Sequence, residues 1–353
     1  MKHTSIFTRI SALFLLFTMV FLLAACTPSV GGSETTAAQN EETTAPPSDI
    51  VDSTLPVKVT VLNGTTGFGM AKLMQDKADG KAQLNYTFDV QADAQNVLKA
   101  LINGSTDIAA LPTNAAATVY NKTNGGVQVL ALNTLGVLYV VSDAPLTGAD
   151  GMEALRGKTV YCPANNPAII FSALCEANGL KVGTDIIIDT SYAEPAAVRA
   201  ALVSGEIHLA VLPEPMVTIA KKANTALSTV LDVTVEWDKK FTPGSLTQGC
   251  VVVRTEFAAA HPNEVATFLK EYGASIAFMQ ENVSEASEII VAQGIFAGQA
   301  PIAALAIPNC NVTFKTGAEM KAALKVFYET LYAIDPTSVG GNLPSDAFYY
   351  GAN

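Results

Sequence analysis

The chain has 353 residues, 49% of them hydrophobic, with 25 glycines and a formal charge of −11. That is enough length for two ordinary domains and a composition suited to a well-buried α/β protein. A body this acidic cannot neutralise phosphates, which argues against a nucleic-acid partner, although a pocket can differ in sign from the surface around it.

Met1 to Cys26 reads as a secretion signal. Lys2 and Arg9 make a charged start, Ile10 to Leu23 is almost unbroken apolar sequence, and small residues close it. Losing residues 1–25, which carry those two cations and no acid, takes the charge from −11 to −13. The order Leu23-Ala24-Ala25-Cys26 resembles a bacterial lipobox, whose cysteine receives a diacylglycerol and becomes the new N-terminus. The resemblance implies a lipoprotein with Cys26 lipidated, carrying palmitate-type chains; a plain signal peptide cleaved nearby is the alternative. Thr27 to Thr54 is rich in Thr, Ser, Ala, Glu and Pro and has no apolar period, so it is expected to be a flexible tether.

Val57, Val59 and Val61 alternate with Lys58 and Thr60, which predicts a strand. Asn63 to Gly67 breaks it, and Phe68, Met70, Ala71, Leu73 and Met74 follow at helical spacing. A polar loop between a strand and a helix N-terminus aims backbone N–H groups and the positive end of the helix dipole at whatever lies above the strand. A plain turn capped by Thr66 would have the same pattern. The pattern recurs, however. Tyr86, Phe88 and Val90 alternate before Asp93, an N-cap for a helix from Ala94 to Ile102. Asp107 to Leu111 is an apolar strand leading through Pro112-Thr113-Asn114 into another helix. Val127–Leu132 and Leu135–Val141 read as further strands, the second long enough to leave one domain for the next.

A second α/β series begins at Gly157. Lys158–Tyr161 is a strand, Cys162 to Pro167 a loop, and Ala168–Asn178 a helix closed by Gly179. Ile186–Asp189, Pro195–Ser204 and Ile207–Leu212 read as strand, helix and strand, followed by Pro213-Glu214-Pro215. The halves compare directly, NGSTDIAALPTNAAA against SGEIHLAVLPEPMVT. Val230–Trp237 reads as partly extended, Phe241–Gln248 as a loop and Cys250–Val253 as a returning strand. Helices are expected from His261 to about Gln280, over Ser284–Gln293 and over Gly317–Leu331, and the aromatic tail at Phe348, Tyr349 and Tyr350 should pack on a domain.

These residues resemble the solute-binding lipoproteins of bacterial ABC importers, in the nitrate/sulfonate/taurine and thiamine-precursor branch. The resemblance spans about residues 55–350. It is carried by Gly104 with Asp107-Ile-Ala-Ala-Leu-Pro112, by Leu155 to Val160, by Gly205 to Pro215, and by Val253-Arg-Thr-Glu-Phe with His261-Pro262. It implies a two-lobe periplasmic-binding-protein-like fold of type II: each lobe a mostly parallel sheet flanked by helices, with two crossing segments at Leu138–Ser142 and Gln248–Val252. Residues 55–140 and 250–353 would form lobe one and 141–249 lobe two. One departure is His208, where the second lobe usually carries the acid that the first keeps as Asp107.

The resemblance further implies a clamp that closes on a small solute and presents it to a membrane permease, as a monomer, without cofactor, metal or covalent chemistry. The loop residues expected to bind are Thr65, Thr66, Phe68, Thr113 and Asn114 from lobe one and Asn165, Asn166 and Glu214 from lobe two, with Tyr139 and Gln248 at the crossings. Phe68 is placed to stack on a planar ring, and Glu214, with no Arg or Lys in these loops, favours a heterocyclic or amine-bearing solute over a simple anion. Each of these residues also fits a helix cap or a packed loop. A lipid-anchored sensor, or an enzyme on the same fold of the chorismate dehydratase or pyrimidine synthase type, are the competing readings.

Gly151 to Thr159 imitates a phosphate loop but has one residue too many, and its strand follows rather than precedes it. His208 and His261 have no partner at metal spacing and read as structural. Cys162, Cys175, Cys250 and Cys310 remain after Cys26. A Cys250–Cys310 disulfide is one reading and four buried thiols the other.

Overall fold

The structure, a computed structural model, describes residues 51–352. The signal, Cys26 and most of the tether lie outside the described residues. The chain alternates short strands and helices around two sheets. The first series is β1 (Pro56–Leu62), α1 (Thr65–Phe68), α2 (Ala71–Ala78), β2 (Asn85–Gln91), α3 (Ala94–Ile102), β3 (Ile108–Pro112), α4 (Thr113–Lys122) and β4 (Val127–Leu135). The second is β5 (Leu138–Ser142), β6 (Thr159–Tyr161), α5 (Asn166–Ala177), β7 (Ile187–Asp189), α6 (Pro195–Ser204), β8 (Leu209–Pro213), α7 (Met216–Ala223), β9 (Ser228–Asp232) and α8 (Val233–Asp238). The chain then returns through β10 (Thr247–Arg254), α9 (Thr255–Ala260), α10 (Pro262–Glu281), α11 (Val283–Ala292), α12 (Ala300–Ala306), β11 (Val312–Lys315) and α13 (Gly317–Ile334).

The sheet orders are β11-β4-β10-β3-β1-β2 and β7-β6-β8-β5-β9. In the first sheet β1, β2 and β3 run parallel and β10 runs against its neighbours β3 and β4. In the second, β6 is parallel to β7 and β8 while β5 opposes β8 and β9. Each sheet thus carries one antiparallel strand in its interior, the strand by which the chain enters that sheet from the other. The change of sheet falls at Gly136–Val137 and beside Leu246. Leu138–Ser142 and Gln248–Val252, expected as the crossings, are the interior strands by which the chain enters each sheet.

Local signals account for most boundaries. Asp93 caps α3 by accepting the Gln95 amide at 2.8 Å, and Gly205 ends α6 in the left-handed conformation. Val230–Trp237 is extended only to Asp232, which accepts the Thr234 and Val235 amides and starts α8. The C-terminal aromatics do pack: Phe348 is fully buried between Tyr120 and Tyr328.

At the sheet ends away from the loops, each interior crossing strand is tied to its neighbour by a side-chain pair. Asp107 accepts from the Lys58 amide and from Arg254 of β10, both at 3.0 Å. Its counterpart is His208, whose Nδ1 lies 2.6 Å from Asp143 at the end of β5. The acid has changed strands, so the His208 departure keeps a side-chain pair at the corresponding place in the second sheet. Cys162, Cys175, Cys250 and Cys310 are buried free thiols, and the Cys250–Cys310 bridge does not form: Cys250 Sγ donates to Leu111 O and Cys310 Sγ to Ala306 O. No helix of the described residues is long and apolar enough to cross a membrane.

Candidate functional site

Parallel strands aim their C-terminal ends, and the loops that follow, at the gap between the sheets. A cleft of about 560 Å³ opens there. Thr65 and Thr66 reach it from the turn after β1 and Asn114 from the first turn of α4. Asn165 and Asn166 reach it from the opposite lobe at the start of α5, and Gln248 lines it from the crossing. Gln248 also accepts the Val137 amide at 2.7 Å, tying one crossing to the other.

Two residues that line this cleft each carry a buried amide oxygen with no partner, Asn114 Oδ1 in one lobe and Asn166 Oδ1 in the other. The Asn114 amide nitrogen donates to the Ser338 carbonyl at 3.5 Å. Unpaired buried acceptors cost stability and require a reason. Asn165, beside them, holds φ +62°, a conformation a side chain disfavours. Among the described residues the one hydrogen bond between the two lobes' cleft linings lies at the crossings, from the Val137 amide to Gln248. The lining includes no Arg, Lys or His; its one charged residue is Asp335.

Four expected residues lie elsewhere. Phe68 is fully buried, edge-on to Phe296, and offers no ring to a ligand. The first turn of α1 rotates it inward, so the stacking role falls. Thr113 is fully buried too, and its carbonyl accepts from Tyr328. Tyr139 and Glu214 face a separate cavity of about 470 Å³. Pro213 lines the main cleft while Glu214, the next residue, turns away and accepts from the Thr218 amide and hydroxyl at 3.1 and 2.9 Å. Burial raises its pKa, against those hydrogen bonds, which lower it. Burial likewise raises that of Tyr139, which keeps its hydroxyl a donor.

Sequence reading did not find Gln95, Asp335, Thr337 and Ser338, all of which line the main cleft. Asp335 accepts from the Thr337 amide and hydroxyl at 2.9 and 2.7 Å, a capping turn after α13. The Asp-Pro-Thr run after a long helix was its one local signal. Among the described residues no three His, Cys, Asp or Glu side chains converge as a metal site.

Two α/β lobes, each entered by one antiparallel strand and facing each other across a polar cleft, define the periplasmic-binding-protein fold. Solved structures share it. An ABC transporter protein from Parabacteroides distasonis matches with a TM-score of 0.71 and 23% identity, over 84% of this chain and 99% of that one. The periplasmic aliphatic sulphonate binding protein SsuA from Escherichia coli matches at 0.63 and 17%, over 82% and 92%. A Candida albicans protein with the generic periplasmic binding protein structural fold matches at 0.53 and 13%, over 83% and 93%. No protein-family profile matches the sequence, and no curated protein does.

Proposed function

We propose that this is an extracytoplasmic solute-binding protein that captures a small molecule between its lobes and delivers it to an ABC importer permease. The observation that carries this reading is a pair of cleft-lining residues, Asn114 and Asn166, one from each lobe, each with a buried amide oxygen that lacks a partner. A solute that donates to both makes contacts only the closed form completes, and so shifts the population toward closure. The neighbours from Parabacteroides distasonis and Escherichia coli, an ABC transporter protein and a sulphonate-binding protein, support the transport role. The lipobox at Cys26 supports a lipid anchor holding the protein at the outer face of the membrane. No step of this role is catalytic, and no cofactor enters it.

The solute is a donor-bearing heterocycle or amine rather than a simple anion. With Glu214 turned out of the cleft, this rests on the lining itself: unpaired acceptors, Asp335, and no cation to hold a sulfonate or nitrate. The test is a thermal-shift screen of the purified protein against thiamine pyrimidines, riboflavin, polyamines, sulfonates and nitrate. A compound at a hundred times its Kd adds about 2.7 kcal/mol. We expect a heterocycle or amine to raise Tm, and Asn166→Ala to abolish that rise while leaving the unliganded Tm near wild type. Stabilisation by sulfonate or nitrate alone would overturn the solute class and spare the clamp. No stabilisation, with no small molecule retained through purification by mass spectrometry, would overturn the clamp.

A further inference from the structure

The lobes enclose two cavities, and the connection between the sheets runs between them: Val137 lines the main cleft and Tyr139, two residues on, the second cavity. In the first sheet the crossing strands β4 and β10 have β3, β1 and β2 on one flank and β11 on the other; in the second, β5 has β8, β6 and β7 on one flank and β9 on the other. The main cleft is built from the loops after β1, β3 and β6. The second cavity lies between Glu214 and Thr218, which follow β8, and the end of β9 at Asp232, and is faced by Leu305 and Asn309, just before β11. Two bodies turning about a connection that lies between two gaps cannot narrow both. Narrowing one widens the other.

The contacts are unequal. Tyr139 Oη, on β5, donates to the Asn309 carbonyl of the opposite lobe at 2.8 Å, and the Asn309 side chain hydrogen-bonds Glu214. At the main cleft the described hydrogen bonds between the lobes are confined to the crossings themselves, from the Val137 amide to Gln248. We infer that Tyr139 and Asn309 form a latch behind the hinge that holds the main cleft open, so that Tyr139 sets solute affinity by opposing closure and not by touching solute. This rests on the clamp reading. It makes Tyr139 a positioning residue, with an effect opposite in sign to that of a ligand contact.

Removing one net hydrogen bond from the open form should raise the closed-to-open ratio roughly two- to tenfold. The experiment is small-angle X-ray scattering on the purified full chain with no solute added, wild type against Tyr139→Phe. The expected result is a smaller radius of gyration in the variant. Asn309→Ala, which loosens the same side through Glu214, should shift the radius in the same direction by less, and stands in if Tyr139→Phe fails to fold. An unchanged or larger radius in the folded variants would overturn the latch. Because no solute enters the measurement, that result would leave the clamp to the thermal-shift screen.

Discussion

Glu214 is a carboxylate with 4% of its surface exposed, and its chemistry follows from that. Burial outweighs the Thr218 hydrogen bonds and lifts its pKa above the ordinary 4.5. The folded form then holds this proton more tightly than the unfolded chain does. Stability contributed by the protonated group is present below the unfolded value and drains away as pH rises through the raised, folded one. Glu214→Gln escapes that loss and still accepts from Thr218. The Tm of the variant relative to wild type should therefore climb between pH 4 and pH 8, read from thermal melts; a flat difference would mean that the carboxylate is solvated. The sequence disclosed this residue's type and its loop, and missed its direction. Pro213 and Glu214 are neighbours, yet they serve different cavities, because side chains alternate across the end of β8 and the packing of α7 decides which gap each one meets. Phe68 fails for a related reason: a four-residue helical turn carries it inward, and no periodicity resolves a segment that short. Thr65, Thr66 and Asn114 reach the cleft because strand ends dictate where their loops lie.

At the scale of elements, the turn after β1 is held by close packing. A Cβ on Gly67 would stand 2.2 Å from the Leu62 carbonyl oxygen and 2.9 Å from both Ile295 Cγ2 and Val61 Cγ1. The Gly64 amide also donates to the Ile295 carbonyl at 2.9 Å, fastening this turn to the end of α11. Backbone cannot yield as a flexible side chain would. Gly67→Ala should cost about 1–3 kcal/mol, seen as a lower denaturation midpoint at unchanged slope. The alternation of strand, loop and helix was legible along most of the chain, since caps and periods are local. The elements missed are short or lack a period: α7, six-residue α8 and α9, α12 and four-residue β11. Of the cleft residues missed, Asp335, Thr337 and Ser338 come from a turn far along the chain that only α13 brings back.

At the scale of the whole molecule, the lobes share more than two covalent crossings. One hydrophobic core runs through both, joining Phe171 and Trp237 of the second lobe to Phe327 and Leu331 of α13 in the first. The Trp237 ring centroid lies 4.2 Å from that of Phe241 and 6.3 Å from that of Phe327, and its indole N–H donates to Ser245 at 2.9 Å. It is fully buried and is the only tryptophan in the sequence. The protein therefore carries a native chromophore at the joint. Excitation of the indole samples a single site, its burial should place its emission at short wavelength, and among the described residues its aromatic neighbour from the opposite lobe is Phe327. Rotation of the lobes should change the intensity or wavelength of that emission with no label attached. A stabilising solute and Tyr139→Phe should displace the spectrum in the same sense, whereas a solute that raises Tm without altering the spectrum would mean that binding leaves the joint at rest.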